Sequence, residues 1–245
     1  MSTMTKQEII TILHRELEAV VAERRAAKSD PVTLAARATL RRFQSQRMAQ
    51  THADLLAATE SSAAATFFLN DLYGPDDLTQ RDANLERVIP KMERLLPVAA
   101  LKTVADAIAL DALSEKLDAA MAAELGGMFT EEDYIAAYRK VTSRADRESQ
   151  LAHVESVGRA LCELVRVSLI GSTLAMMRGP AKLAHLEELQ SFLERGFKAF
   201  KGMKRPEDFV VTIIRREREI MERLYAGSHT PFSGAASADQ CELPG

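Results

Sequence analysis

The chain is poor in the residues that strands and tight turns need. Of its 245 residues only 11 are glycine and 8 are proline, and no run alternates apolar and polar residues in the strict manner of a half-buried strand. Ala, Leu, Glu and Arg are frequent instead, which excludes a sheet protein and leaves an all-α fold. Cysteine is scarcer still. Cys162 lies in an apolar helical segment and Cys241 in a polar tail, so no disulfide framework can be drawn and a reducing compartment fits. The phosphate-cradling patterns Gly-x-Gly-x-x-Gly and Gly-x-x-x-x-Gly-Lys do not occur, nor does the Gly-x-Ser-x-Gly elbow of a nucleophilic serine. No segment assembles a nucleophile with its base, and no catalytic residue can be named.

Metal chemistry is equally short of ligands. The histidines are His14, His52, His153, His185 and His229, and none lies three residues after a Glu, which removes the Glu-x-x-His pairs of carboxylate-bridged di-iron bundles. Asp111, Glu115 and Asp118 share a helix face and read as a solvated acidic stripe. No metal and no cofactor is expected. A haem would need only one His among Phe and Met residues, a requirement too loose for a sequence to test, and the set Met177, Phe192, Phe197, Phe200 and Met203 has the spacing of core.

The formal charge of −3 conceals a division. Residues 24–50 carry Arg24, Arg25, Lys28, Arg37, Arg41, Arg42 and Arg47 against the single acid Asp30, while residues 51–133 are acidic. Such asymmetry can steer an anionic partner, or the two signs can face each other across helices or subunits. The basic run lacks interleaved stacking aromatics, which argues against nucleic acid. Lys201 to Pro206 forms a basic loop at a helix start where an anion could bind, although such clusters are usually solvated. The most apolar span, Ala160 to Met177, is about long enough to cross a bilayer but holds Glu163 and Arg166, so it reads as a buried bundle helix. The amino terminus is unlike a secretory signal. A cytoplasmic protein without membrane partners is the expectation.

Periodicity supplies the elements. Thr5 and Glu8 form a capping box ahead of Ile9, Leu13, Leu17 and Val20. Asp30 and Pro31 start a second helix, whose Leu34, Phe43, Leu55 and Leu56 make a ragged stripe through an Arg-rich surface. It continues to Tyr73 or breaks near Thr59 to Ser62. After Pro97 a helix carries Leu101, Val104, Ala105, Ile108, Leu113 and Leu117 as far as Gly126-Gly127. Thr130 and Asp133 then cap a short helix with Tyr134, Ile135, Tyr138 and Val141. The longest apolar helix follows, with Leu151, Val154, Gly158, Leu161, Val165 and Leu169 in line and its end at Gly179-Pro180. Gly158 and Gly171 are expected where a neighbouring helix approaches closely. Leu186, Leu189, Leu193, Phe197 and Phe200 face inward on the next helix, and Phe209, Ile213, Ile220 and Leu224 on the last.

The most specific stretch runs from Phe67 to Asp82. Gly74 and Pro75 end one helix, and Thr79 with Asp82 caps the next, which contains Pro90 and is expected to kink there. The plain reading is structural: Phe68 and Leu72 enter the core, Asp76 or Asp77 binds turn amides, and Arg81 pairs with an acid. The functional reading is that Asn70, Asp71, Tyr73, Arg81 and Asp82 line a small polar ligand site.

The run Phe67-Phe68-Leu69-Asn70-Asp71-Leu72-Tyr73-Gly74-Pro75 with Arg81-Asp82, together with Met177-Arg178-Gly179-Pro180-Ala181 and the helix Leu189 to Phe200, resembles an uncharacterised family of bacterial helical proteins over roughly residues 35–227. The resemblance implies a bacterial origin and a helical fold, and it brings no activity and no catalytic residue. The expectation is a single bundle of about seven or eight helices over residues 1–227 with a disordered tail at 228–245. Its expected role is that of a non-enzymatic interaction or scaffold protein, assembling with itself or with another protein. The alternative is a small-ligand protein or enzyme with its pocket at the Asn70 to Asp82 corner.

Overall fold

The computed structural model describes residues 4–69, 98–183 and 187–234, and these form ten helices, eight of seven residues or more, with no strand. They are α1 (Lys6–Ser29), α2 (Pro31–Thr51), α3 (Ala53–Ala57), α4 (Ser62–Phe67), α5 (Val98–Leu125), α6 (Glu131–Val141), α7 (Arg144–Leu164), α8 (Ser168–Leu183), α9 (Glu187–Lys201) and α10 (Pro206–Tyr225).

The starts of these helices are written locally. The Thr5 hydroxyl accepts from the Glu8 amide and the Glu8 carboxylate accepts from the Thr5 amide, so two amides that the helix itself cannot satisfy are paired. Asp30 accepts from the Val32 and Thr33 amides, with Pro31 occupying the first helical position where no amide is needed. Thr130 and Asp133 repeat the reciprocal arrangement on α6. Gly126, at φ 67°, ends α5 in the left-handed conformation.

Helix α5 is the axis. Ile9, Leu13 and Leu17 of α1 form a buried cluster with its Leu101, Ala105 and Ile108, and Arg24 farther along α1 meets Asp111 and Glu115, so the two helices run in the same direction. Helix α2 packs on the C-terminal part of α5, where Leu40 joins Met121, Ala122, Tyr134 and Ile220 in a second cluster. Helix α7 lies antiparallel to α5, as the Gln150–Ser114 and Ser156–Asp106 hydrogen bonds fix. On its other side α7 meets α10 closely: a methyl built on Gly158 would lie 2.8 Å from the Val210 Cγ1. A third cluster joins α4, α7, α9 and α10 through Phe67, Cys162, Phe200, Phe209 and Ile213.

Several expectations are corrected. The apolar line from Leu151 to Leu169 is not one helix. Amides of Arg166 and Val167 turn back to Glu163 and Leu164, tightening the last turn to i, i+3 bonds, and the axis then bends by 95° into α8. Gly179-Pro180 does not end α8, which runs to Leu183. Helix α8 is not buried either: Leu169 is 72% and Met176 77% exposed. No single described helix is long and apolar enough to cross a membrane. Leu34 and Leu193, expected inside, are exposed, while Phe197 and Phe200 are buried as expected. Met177 is exposed, so it is no part of the core that buries Phe197, Phe200 and Met203. Beyond Gly227 the chain does not leave the bundle at once: Pro231 is buried, and the Phe232 ring packs against Phe43 and Tyr134.

Candidate functional site

The two charge runs close on each other across helices. Glu115 is 3% exposed, and its carboxylate accepts from Arg24 Nε at 2.9 Å, Arg37 Nη1 at 3.1 Å and Arg41 Nη2 at 2.6 Å. Asp111 takes Arg24, Glu23 takes Arg37 and Asp118 takes Arg41. The acidic face of α5 is therefore no solvated stripe, and Arg37 and Arg41 of α2 are no surface, although Arg42 is exposed. A buried charge needs a partner, and seven side chains from three helices supply one another.

Next to this network the polar residues open onto a cavity of about 110 Å³ between α2, α5, α6, α7 and α10. Arg47 reaches it from α2, His52 from the break between α2 and α3, Asp118 from α5, Tyr138 from α6, Arg147 and Gln150 from α7, and Glu217 from α10. The lining also carries apolar side chains, among them Leu55, Leu69, Leu151, Ile213 and Met221.

Each polar group has a distinct state. The Arg47 Nη1 donates to both Glu217 oxygens at 2.6 Å, and His52 Nε2 lies 3.0 Å from Glu217 Oε1. Burial would raise the Glu217 carboxyl, but the Arg47 charge and the His52 contact outweigh it and hold the group at about 2. Asp118 goes the other way, because burial outweighs Arg41 and the 3.1 Å bond from Gln44 and pushes its carboxyl above the ordinary range. Burial also pushes the Tyr138 phenol up, so it stays protonated. The Arg147 guanidinium lies over the Tyr138 ring, 4.4 Å from its centroid, and donates from Nη1 to Gln150 Oε1 at 3.0 Å. Gln150 in turn donates to Ser114 Oγ at 2.8 Å, which holds its amide orientation.

Four donor or acceptor positions on residues of the cavity lining remain buried without a partner: Arg47 Nε, His52 Nδ1, and both Nε and Nη2 of Arg147. Arg37 Nε in the network is a further such atom, but buried polar atoms are nearly always paired, and four on one lining mark the cavity as a place for something polar. The nearby Arg216 is fully buried, with Nη1 and Nη2 on the two Asp54 oxygens at 2.7 and 2.8 Å, and it closes the α3 turn onto α10.

The residues that the sequence singles out are not among those the structure describes. Asn70, Asp71, Tyr73, Arg81 and Asp82 all fall outside the described residues, as do the Thr79–Asp82 cap and Pro90. Phe68 and Leu69, which lead into that corner, do line the cavity. The basic loop at Lys201 to Pro206 is exposed at Lys204 and Arg205, with Arg205 paired to Asp208. Among the described residues no group of three or more His, Cys, Asp and Glu comes together to hold a metal. The cavity was missed because its polar residues come from five separate helices with no common spacing. A signal existed on α2, where Arg37, Gln44 and Arg47 recur on the same helical row as Leu40, Met48 and Thr51.

A family model described as a domain of unknown function (DUF8198) matches residues 23–231. The chain belongs to the DUF8198 family. The match takes in every helix that walls the cavity and ends at Pro231, beside the Phe232 ring. No curated protein and no solved structure matches the chain.

Proposed function

We propose that this DUF8198 chain is a small-molecule-binding protein whose ligand enters the cavity between α2, α5, α6, α7 and α10. The observation that carries the reading is the set of unpartnered buried atoms on Arg47, His52 and Arg147, residues that line one cavity together with aliphatic side chains. A pocket that mixes a few fixed polar groups with aliphatic side chains has the composition of a ligand site rather than of a core defect. At about 110 Å³ it is smaller than a cavity that accepts benzene, so it takes a molecule of few heavy atoms, not a nucleotide or a porphyrin. Binding is favoured over nucleophilic catalysis: the Tyr138 phenol is held protonated, and burial pushes the Cys162 thiol up to about 11. The buried free thiol of Cys162 agrees with a reducing, cytoplasmic setting.

Ligand-observed NMR with a mixed set of small fragments tests this. Binding that disappears in Leu151→Phe, which narrows the cavity, supports the reading. A folded protein that binds no fragment refutes it.

A second reading, self-association, is supported by the exposed apolar row Leu169 and Met176 on α8. Wild type and Leu169→Glu should then differ in sedimentation, the variant being the lighter species, and a monomer in both would dismiss it.

A further inference from the structure

The two arginines of the cavity are not equivalent. Arg47 meets a carboxylate, and its charge is neutralised by Glu217. Arg147 is 7% exposed and meets none among the described residues: its partners are the neutral Gln150 and the face of the Tyr138 ring. Asp118 shares the wall and feels the Arg147 charge, but its oxygens are already engaged by Gln44 and Arg41. What Arg147 has left is Nε and Nη2. Those two nitrogens share one edge of the planar guanidinium, and their N–H bonds point in parallel at the spacing of two carboxylate oxygens.

Resting on the reading above, we propose that the ligand is a short-chain monocarboxylate. Its carboxylate lies across the Arg147 Nε/Nη2 edge, and its hydrocarbon lies against Leu151, Ile213 and Met221. The bound carboxylate would satisfy both orphaned donors at once and supply the negative charge the guanidinium lacks at hydrogen-bonding range. The charge of the wall selects a monoanion. A dianion would face Asp118 and Glu217 with only one open cationic edge to hold it, and like charges in a low-dielectric cavity repel strongly. The volume selects a chain of few carbons, because the cavity is smaller than one that accepts benzene. The contribution of Gln150 is orientation. Taking one Arg147 donor at Nη1 and fixed by Ser114, it keeps the plane of the guanidinium turned so that the opposite edge is the one presented.

The test titrates butanoate, butanamide and inorganic phosphate into the full chain, as wild type, Arg147→Lys and Arg147→Leu, by ligand-observed NMR with circular dichroism to verify folding. Butanoate should bind the wild type, butanamide and phosphate at least about tenfold more weakly. Arg147→Lys, which keeps the charge but loses the paired edge, should weaken butanoate at least about tenfold. Equal binding of butanamide, tighter binding of phosphate, or an unchanged Arg147→Lys overturns the carboxylate assignment. If neutral fragments still compete in the cavity of such a protein, the small-molecule reading survives it; if no probe of any kind binds, both fall. Should Arg147→Leu not fold, the butanoate–butanamide comparison and Arg147→Lys decide alone.

Discussion

Replacing Glu115 by glutamine keeps the size of the side chain and removes the charge on which three arginines converge. The carboxylate is 3% exposed and accepts from Arg24, Arg37 and Arg41 at 2.9, 3.1 and 2.6 Å. Breaking one buried ion pair costs about 3–5 kcal/mol, chiefly because the surviving charge is left in a poor solvent. Three stranded guanidinium groups would cost more if each were alone, but none is. Asp111 remains 2.7 Å from Arg24, Glu23 2.9 Å from Arg37, and Asp118 3.4 Å from Arg41. The loss should therefore stay on the scale of a single broken pair, about 3–5 kcal/mol, which for a chain of this length lowers Tm by roughly 6–20 °C. Urea unfolding followed by far-UV circular dichroism measures it. The double variant Glu115→Gln/Arg41→Leu should lose less than the sum of its parts, because the second change removes one of the stranded charges. Raising the salt concentration should not recover the loss, since buried pairs are weakly screened. A Glu115→Gln protein within about 0.5 kcal/mol of the parent would refute the reasoning, for that is the behaviour of a surface acid.

Gly158→Leu should destabilise the protein by roughly 1–3 kcal/mol or more, since even a Cβ there would sit 2.8 Å from the stiff Val210 side chain; a stabilised variant would show that α7 and α10 are not in close contact. The Glu217 carboxyl titrates near 2 in the fold against an ordinary 4.5, so its pairing contributes stability that is present above about pH 4.5 and lost as pH falls toward 2. At about 1.4 kcal/mol per pH unit this is up to about 3 kcal/mol, and the stability difference between wild type and Glu217→Gln should shrink over that window; a difference independent of pH would refute it. Phe232→Ala should cost about 1–2 kcal/mol in thermal unfolding, because its half-buried ring packs on Phe43 and Tyr134 and lies under the Arg47 guanidinium at 5.8 Å, whereas no change would mean the segment after Gly227 does not dock.

What was legible in the sequence was what a helix decides within its own turns. Thr5 with Glu8, Asp30 with Pro31 and Thr130 with Asp133 are caps because each satisfies amides three residues away, and no distant residue can alter that. The apolar rows of α1 and α10 were legible for the same reason, each being a stripe at helical period on an otherwise charged surface. The bend after Leu164 was not, since neither glycine nor proline marks it and Val165 to Val167 look like a continuation of the helix. The inward arginines were hidden by a property of amphipathic analysis itself. A charged residue at an inward position scores as surface, so Arg37 and Glu115 each looked solvated until the fold set one against the other.

The same residue type thus has two fates inside one bundle. Arg24, Arg37 and Arg41 meet carboxylates from neighbouring helices, and those contacts fix how α1 and α2 seat on α5, because a shift along either helix would strand several charges together. Arg147 is as deeply buried, is held in place by Gln150 and the Tyr138 ring, and is left with Nε and Nη2 unpartnered on the lining of a cavity that also carries aliphatic side chains. Buried donors left unmade are costly, and Nε and Nη2 of Arg147 meet no acceptor among the described residues, which is the physical reason to look for their partner in a ligand.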